Sequence, residues 1–196
     1  MKLLFSKRSP YARKARVVAL EKNIPVEFCE EDLTKKTALL LDANPLGKVP
    51  LLILDNGRTL LDSPVICEYL DGLNDRPVLI PRENIKRFEV LTLAAVADGV
   101  MDTAIALYME KIRHPADFAK DFVLAQEATL ERILSIWNKD TGAFKDLTLG
   151  SIAAACALGY VQFRLPALVS VEQFPELLRW FKIFSERPSM QATRPG

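Results

Sequence analysis

A single histidine, His114, serves a chain of 196 residues. Histidine-ligated metal sites and histidine-based triads therefore have little material to be built from. Sulfur is sparse as well. Cys29, Cys67 and Cys156 are odd in number, far apart and in no C-x-x-C pair. That argues against a disulfide framework and fits a reducing compartment. Neither sign of charge dominates: 26 basic and 25 acidic residues leave a formal +1. Bulk attraction to nucleic acid or an anionic membrane is not expected. The basic cluster Lys7, Arg8, Arg13, Lys14 and Arg16 has no interleaved aromatics and reads as a solvated helix face. Lys7 and Arg8 also interrupt any apolar stretch of signal-peptide length. Ile152–Tyr160, read as the most apolar segment, is far short of the roughly 20 residues that cross a bilayer. The expectation is a soluble, cytoplasmic protein with no membrane or nucleic-acid partner and no metal.

What is present is core-forming material. Hydrophobic residues make up 49% and charged residues 26%, enough to bury a core without staples in one large or two small domains. Lys2–Phe5 reads as a short buried strand and Pro10–Lys22 as a helix, with Ala12, Ala15, Val18 and Ala19 at helical spacing. Val26–Glu31 alternates as a strand does, and Ala38–Asp42 makes a short helix. Pro50–Leu54 and Thr59–Leu61 flank Asn56-Gly57, a hairpin turn signal. Ser63–Leu73 is helical. The order β-α-β, connection, β-β-α is the thioredoxin-type pattern, with helices over both sheet faces. Two prolines mark Asp75–Pro81 as a linker. Helical periodicity then continues through Glu83–Met109, Pro115–Lys139, Ile152–Phe163 and Pro175–Arg187, with His114-Pro115 as a turn. Ile152–Phe163 is apolar nearly all round, as a helix at the centre of a bundle is. Thr148 reads as its N-cap, with Leu147 and Ile152 as a hydrophobic staple.

Three short segments carry chemistry. Ser9 before Pro10 is a good N-cap and N1 pair. The hydroxyl either only caps its helix or also donates to a thiolate held at the positive end of the helix dipole. Tyr11 offers a phenol but suits a pocket wall or the core, and Ser6 is a further candidate. In Asn44-Pro45-Leu46-Gly47-Lys48-Val49-Pro50, Pro50 opens a strand, where it removes a ladder donor. The residues alone leave its isomer open, and an ordinary edge-strand proline is the plainer alternative. In Asp62-Ser63-Pro64 the helix-start chemistry recurs, with an acid just before the first turn. Lysines at 35, 36 and 48 are free to meet a carboxylate or to be merely solvated. Asp98 and Asp102 interrupt an apolar stripe of Phe88, Leu91, Ala95, Ile105 and Met109. Like charges four apart weaken an isolated helix, so they suggest a pocket, a subunit seam or a local network.

The order and spacing of these segments closely resemble the soluble glutathione transferases of bacterial, serine-type active site, from Met1 to Arg187-Pro188-Ser189. The resemblance implies a thioredoxin-like α/β domain over residues 1–76, a linker at 77–82 and an all-helical domain over 83–196. It implies a homodimer with its active site in a cleft between domains. Ser9 is then the thiol-activating residue. Val49 pairs through its backbone with the cysteine of glutathione next to a cis Pro50. Ser63 takes the γ-glutamyl carboxylate, Asp62 its ammonium, and Lys35 and Lys48 the glycine carboxylate. Asp98 reaches the partner subunit's glutathione. Family members usually carry Glu or Gln where Asp62 stands, and Asp where Ser151 stands, which weakens the helix-start box.

The expected activity is attack of the glutathione thiolate on a small hydrophobic electrophile, with glutathione as substrate and no tightly bound cofactor. The second substrate is expected near Tyr108 and Phe163. Two rivals remain. One is a non-catalytic interaction protein resembling stringent starvation protein A, against which Ser9, Val49, Pro50 and Ser63 all argue. The other is a glutathione-dependent thiol reductase. Glutaredoxin-like proteins commonly have Cys-Pro-Tyr-Cys where this chain has Ser9-Pro10-Tyr11-Ala12, so dithiol exchange has no sulfur to use.

Overall fold

A computed structural model describes all residues, Met1–Gly196. The chain divides into two compact units, Met1–Phe88 with Arg187–Gly196, and Glu89–Glu186. The last ten residues thus belong with the first unit, unlike the expected helical domain of residues 83–196.

In the first unit, β1 (Lys2–Phe5), β2 (Glu27–Glu30), β3 (Leu51–Ile53) and β4 (Thr59–Leu60) form one mixed sheet in the order β2-β1-β3-β4. The β1–β2 pair is parallel, whereas β3 runs antiparallel to both β1 and β4. Helices α1 (Pro10–Glu21), α2 (Ala38–Ala43) and α3 (Ser63–Gly72) complete the expected thioredoxin-like α/β arrangement. Successive strand residues point to opposite faces. Leu3, Leu4 and Phe5 are nevertheless all buried, as are Leu51 and Leu52, so both faces of the sheet are covered. Leu4, Phe5, Ala12, Leu40, Val49 and Leu51 form one core cluster. The Asn56-Gly57 turn joins β3 to β4, and Gly57 sits at φ +80°, a region that suits glycine.

Of the basic cluster, Lys7 and Arg8 are exposed as expected, but its part on α1 is not a solvated face. Arg13 and Lys14 are buried and Arg16 is half-buried. The reason lies far along the chain: α8 (Pro188–Gln191) docks on α1. Arg13 Nη2 donates to the Met190 carbonyl at 3.2 Å and Arg16 Nη2 to that of Ala192 at 3.3 Å. Arg187 grips Glu21 with two bonds of 2.8 and 2.7 Å, and Ser189 Oγ donates to the same carboxylate. The expected linker is likewise packed. Leu79 and Ile80 are buried, and the Asp71 carboxylate accepts both of their amides at 3.0 Å. The buried Lys22 amine donates to the carbonyls of Asn74 and Pro77 and pairs with Asp71 at 2.9 Å.

The second unit is helical. Helix α4 (Asn84–Arg113), which begins in the first unit, runs four residues past its expected end and stops before His114-Pro115. By length and composition it is one helix long and apolar enough to cross a membrane. Its core face is Ala94, Ala97, Val100, Met101, Ala104 and Leu107. The stripe singled out in the sequence therefore lies off the core: Phe88 and Ala95 are exposed, and Leu91, Ile105 and Met109 are only half-buried. Helix α5 is Lys120–Lys139, starting later than expected because the Glu110 carboxylate accepts the Ala119 amide at 2.9 Å and holds the preceding turn.

Helix α6 (Leu149–Arg164) is buried continuously from Leu149 to Val161. Its capping box is complete, not weakened. Thr148 Oγ1 accepts the Ser151 amide at 3.2 Å, and Ser151 Oγ accepts the Thr148 amide at 2.9 Å. At Gly150 a Cβ would fall 3.0 Å from the Val90 carbonyl oxygen, so α4 and α6 approach too closely for a side chain. Helix α7 (Pro175–Phe184) has no capping side chain of its own. Asn138, at the end of α5, accepts its Glu176 and Leu177 amides at 2.9 and 3.0 Å. Phe144 packs between Trp137 and Trp180.

Candidate functional site

The register of the sheet gathers the segments that the sequence singled out. β1 ends at Phe5 and leads to Ser9. Leu51, at the start of β3, pairs with Leu4 near that end. Leu60, at the end of β4, pairs with Leu52 and leads to Asp62. β2 is parallel to β1 and ends at Glu30, so the loop carrying Lys35 leaves from the same end. One end of one sheet therefore presents the starts of α1 and α3, the opening of β3 and the lysine-bearing loop.

At the first position, Ser9 is the N-cap of α1 and Pro10 its first residue. Ser9 Oγ accepts the Ala12 amide at 3.2 Å, which leaves its own proton available for donation. Ser9 and Tyr11 are half-buried, whereas Ser6 is buried.

At the second, the Val49–Pro50 bond is cis, and β3 begins at the next residue. The buried Asn44 braces this loop. Its Nδ2 donates to the Lys48 carbonyl at 2.8 Å and its Oδ1 accepts the Leu46 amide at 2.9 Å. Gly47 turns the chain at φ +56°, with the Lys36 amine packed against it. No backbone bond within the chain engages the Val49 amide or carbonyl. Asn44 was legible only as part of a motif. Its side-chain bonds make it a positioning residue, and the signal was an Asn ahead of a Pro-x-Gly turn.

At the third, the N-cap of α3 is Asp62, not Ser63. Asp62 Oδ1 accepts the Ser63 amide, so the Ser63 side chain is released from capping. Ser63 is 1% exposed, and its Oγ is buried with no hydrogen-bond partner. Lys35, Lys48 and Asp62 are exposed. Asp98 belongs to the helical unit, where it is half-buried on α4, one turn before the exposed Asp102.

The remaining sulfur offers no reactive thiol here. Cys67 and Cys156 are buried. Cys29 is only partly buried, and burial followed by the charge of Glu27 pushes its thiol up. A raised thiol is a poor nucleophile at neutral pH.

Comparison with known proteins decides the family. A family model of the glutathione S-transferase N-terminal domain matches residues 3–77, and one of the C-terminal domain matches residues 96–188. The chain belongs to the glutathione S-transferase family. Among this transferase family's members, the uncharacterized GST-like protein YibF of Escherichia coli is 34% identical, over 100% of this chain and 98% of its own. A glutathione S-transferase from Methylobacillus flagellatus, solved with glutathione bound, has a TM-score of 0.94 at 38% identity, covering 100% of this chain and 99% of its own. A glutathione transferase family member from Pseudomonas fluorescens was solved with bound S-(propanoic acid)-glutathione. It has a TM-score of 0.89 at 36% identity and covers both chains fully.

Proposed function

We propose that this transferase-family chain is an active glutathione S-transferase that binds glutathione at the sheet end described above and attacks a small hydrophobic electrophile with its thiolate. The observation that carries this reading is the buried Ser63 hydroxyl with no partner in the chain. A buried hydroxyl without a partner costs about 1–3 kcal/mol, and a helix N-terminus is where a carboxylate supplies one. In this reading Ser63 and the α3 amides take the γ-glutamyl carboxylate and Asp62 the ammonium. Lys35 and Lys48 take the glycine carboxylate. The backbone of Val49, preceding Pro50, pairs with the cysteinyl unit as an added strand does. Glutathione-bound relatives support the same ligand.

Ser9 then donates its free proton to the thiolate. Lowering a thiol pKa of about 8.5 by roughly two units requires about 2.7 kcal/mol. A charge-assisted hydrogen bond contributes about 1.5–3 kcal/mol and the α1 dipole up to about 2 in a sheltered position, so the two suffice. The protein acts as a cytoplasmic homodimer in which Asp98 reaches the partner subunit's glutathione. A thiol reductase finds no support in the raised Cys29.

The test is ultraviolet absorbance of bound glutathione thiolate, titrated with pH, on wild type and Ser9→Ala. A bound pKa well below that of free thiol, returning by about two units in the variant, is expected. Binding with no shift assigns activation elsewhere, and no binding overturns the enzyme.

A further inference from the structure

The loop that carries Lys35 runs from Glu31, the residue after β2, to Thr37, the N-cap of α2. Both ends are fixed to the sheet unit. The Glu31 amide donates to the Phe5 carbonyl at 2.7 Å, which ties it to β1. Thr37 Oγ1 accepts the amide of Leu40 at 3.2 Å, and Leu40 lies in the core cluster. One side chain then joins the two ends. The Glu31 carboxylate accepts the Thr37 hydroxyl at 2.7 Å and the Thr37 amide at 3.3 Å. The turn between them is closed as well. Asp32 Oδ1 accepts the Thr34 amide at 2.9 Å and its hydroxyl at 2.7 Å. The Lys35 amide donates to the Asp32 carbonyl at 3.0 Å, and Leu33 packs against the core cluster.

Glu31 is a costly way to hold a loop. It is 6% exposed, and removing a carboxylate from water without a cation is unfavourable. None of the chain's ion pairs involves Glu31 or Lys35. What the carboxylate gains is strength. It takes both donors of Thr37 at once, and each bond is stronger than one to a neutral oxygen. The lysine so held is Lys35. Lys36 instead reaches across to the neighbouring loop, where its amine lies 3.2 Å from the place a Cβ of Gly47 would take. Lys35 is exposed and keeps its charge for a ligand. A lysine on a slack loop makes its ligand order the loop on binding, whereas a latched loop is ordered beforehand.

We propose, resting on the glutathione site described above, that Glu31 and Thr37 are positioning residues for Lys35. Their latch makes the site select a thiol peptide by the free carboxylate at its glycyl end. Neither residue touches the thiol, so losing the latch weakens recognition of that carboxylate and leaves the sulfur chemistry alone.

The probe is S-methylglutathione, which has no thiol to react, compared by calorimetry with its glycyl ethyl ester. Wild type is expected to bind the acid about tenfold tighter than the ester. Lys35→Met is expected to remove most of that preference. Glu31→Gln and Thr37→Val are each expected to cut it about threefold by weakening the acid alone, and Thr37→Ser to keep it. In the Lys35→Met background, Glu31→Gln is expected to leave the remaining preference unchanged, because its effect passes through Lys35. If Glu31→Gln does not fold, the Thr37 pair carries the same comparison. Equal weakening of acid and ester reduces the latch to a fold element and overturns the proposal, as does a wild type that binds both equally. A wild type that binds neither rejects the glutathione site itself and the proposal with it. The expected preferences without conjugation of any electrophile keep the latch and reject only the transferase chemistry.

Discussion

Ser63 and Ser9 have the same hydroxyl in nearly the same setting, yet they differ in what the chain already asks of them. Ser9 accepts a backbone amide as the cap of α1, whereas Asp62 relieves Ser63 of that duty on α3. Removing the two hydroxyls should therefore have opposite structural effects. Ser63→Ala deletes a buried group without a partner, so thermal stability is expected to hold or rise slightly, while glutathione binding weakens about tenfold or more. Melting curves and a glutathione titration on one preparation check both. A variant that loses stability and keeps its affinity removes Ser63 from the site. The helix starts at both serines were legible because Ser-Pro and Asp-Ser-Pro are local signals. Which residue caps α3 was not, since it depends on backbone geometry at Asp62.

At the scale of elements, the C-terminal clamp on α1 is the feature least visible in the sequence. Arg13 and Arg16 read as solvated because the carbonyls they bind, at Met190 and Ala192, are about 180 residues away along the chain, a long-range pairing no helical period encodes. The same blindness hid the Asn138 cap on α7. On α4 the period was visible but its phase was misjudged, because small Ala94, Ala97 and Ala104 share the core face with Val100, Met101 and Leu107, while Phe88 faces outward. The clamp has a pH signature. Burial pushes the Glu21 carboxyl up, but the bonds from Arg187 and Ser189 and the Arg187 charge outweigh it and hold it below the usual range. A depressed acid stabilises the fold above its unfolded pKa, and that stability is lost as pH falls through the folded value. Protection from hydrogen exchange over residues 187–196, taken relative to the intrinsic rate at each pH, is therefore expected to fall below the ordinary glutamate range, and Arg187→Gln to show low protection already at neutral pH. A segment equally protected at both pH values in wild type would detach Glu21 from the clamp.

At the scale of the whole molecule, the outward apolar residues of α4 bear on assembly. Ile85 is 66%, Phe88 59% and Val96 37% exposed on a helix that also carries Asp98. Apolar side chains grouped on an exposed helix mark an interaction surface, and in the proposed homodimer they meet the second copy. Sedimentation of wild type is then expected at twice the 22.0 kDa of the chain. Phe88→Asp places a charge on that surface and is expected to yield a folded species of single-chain mass, since Phe88 contributes little to the core of its own chain. If Asp98 also reaches the partner subunit's glutathione, the same variant raises the KM for glutathione without touching Ser9, Val49 or Ser63. Asp98→Asn in the intact dimer should then reproduce the KM change and leave the mass alone. A wild type that sediments as a single chain yet binds glutathione would make the site complete within one copy and return Asp98 to a local role on its helix.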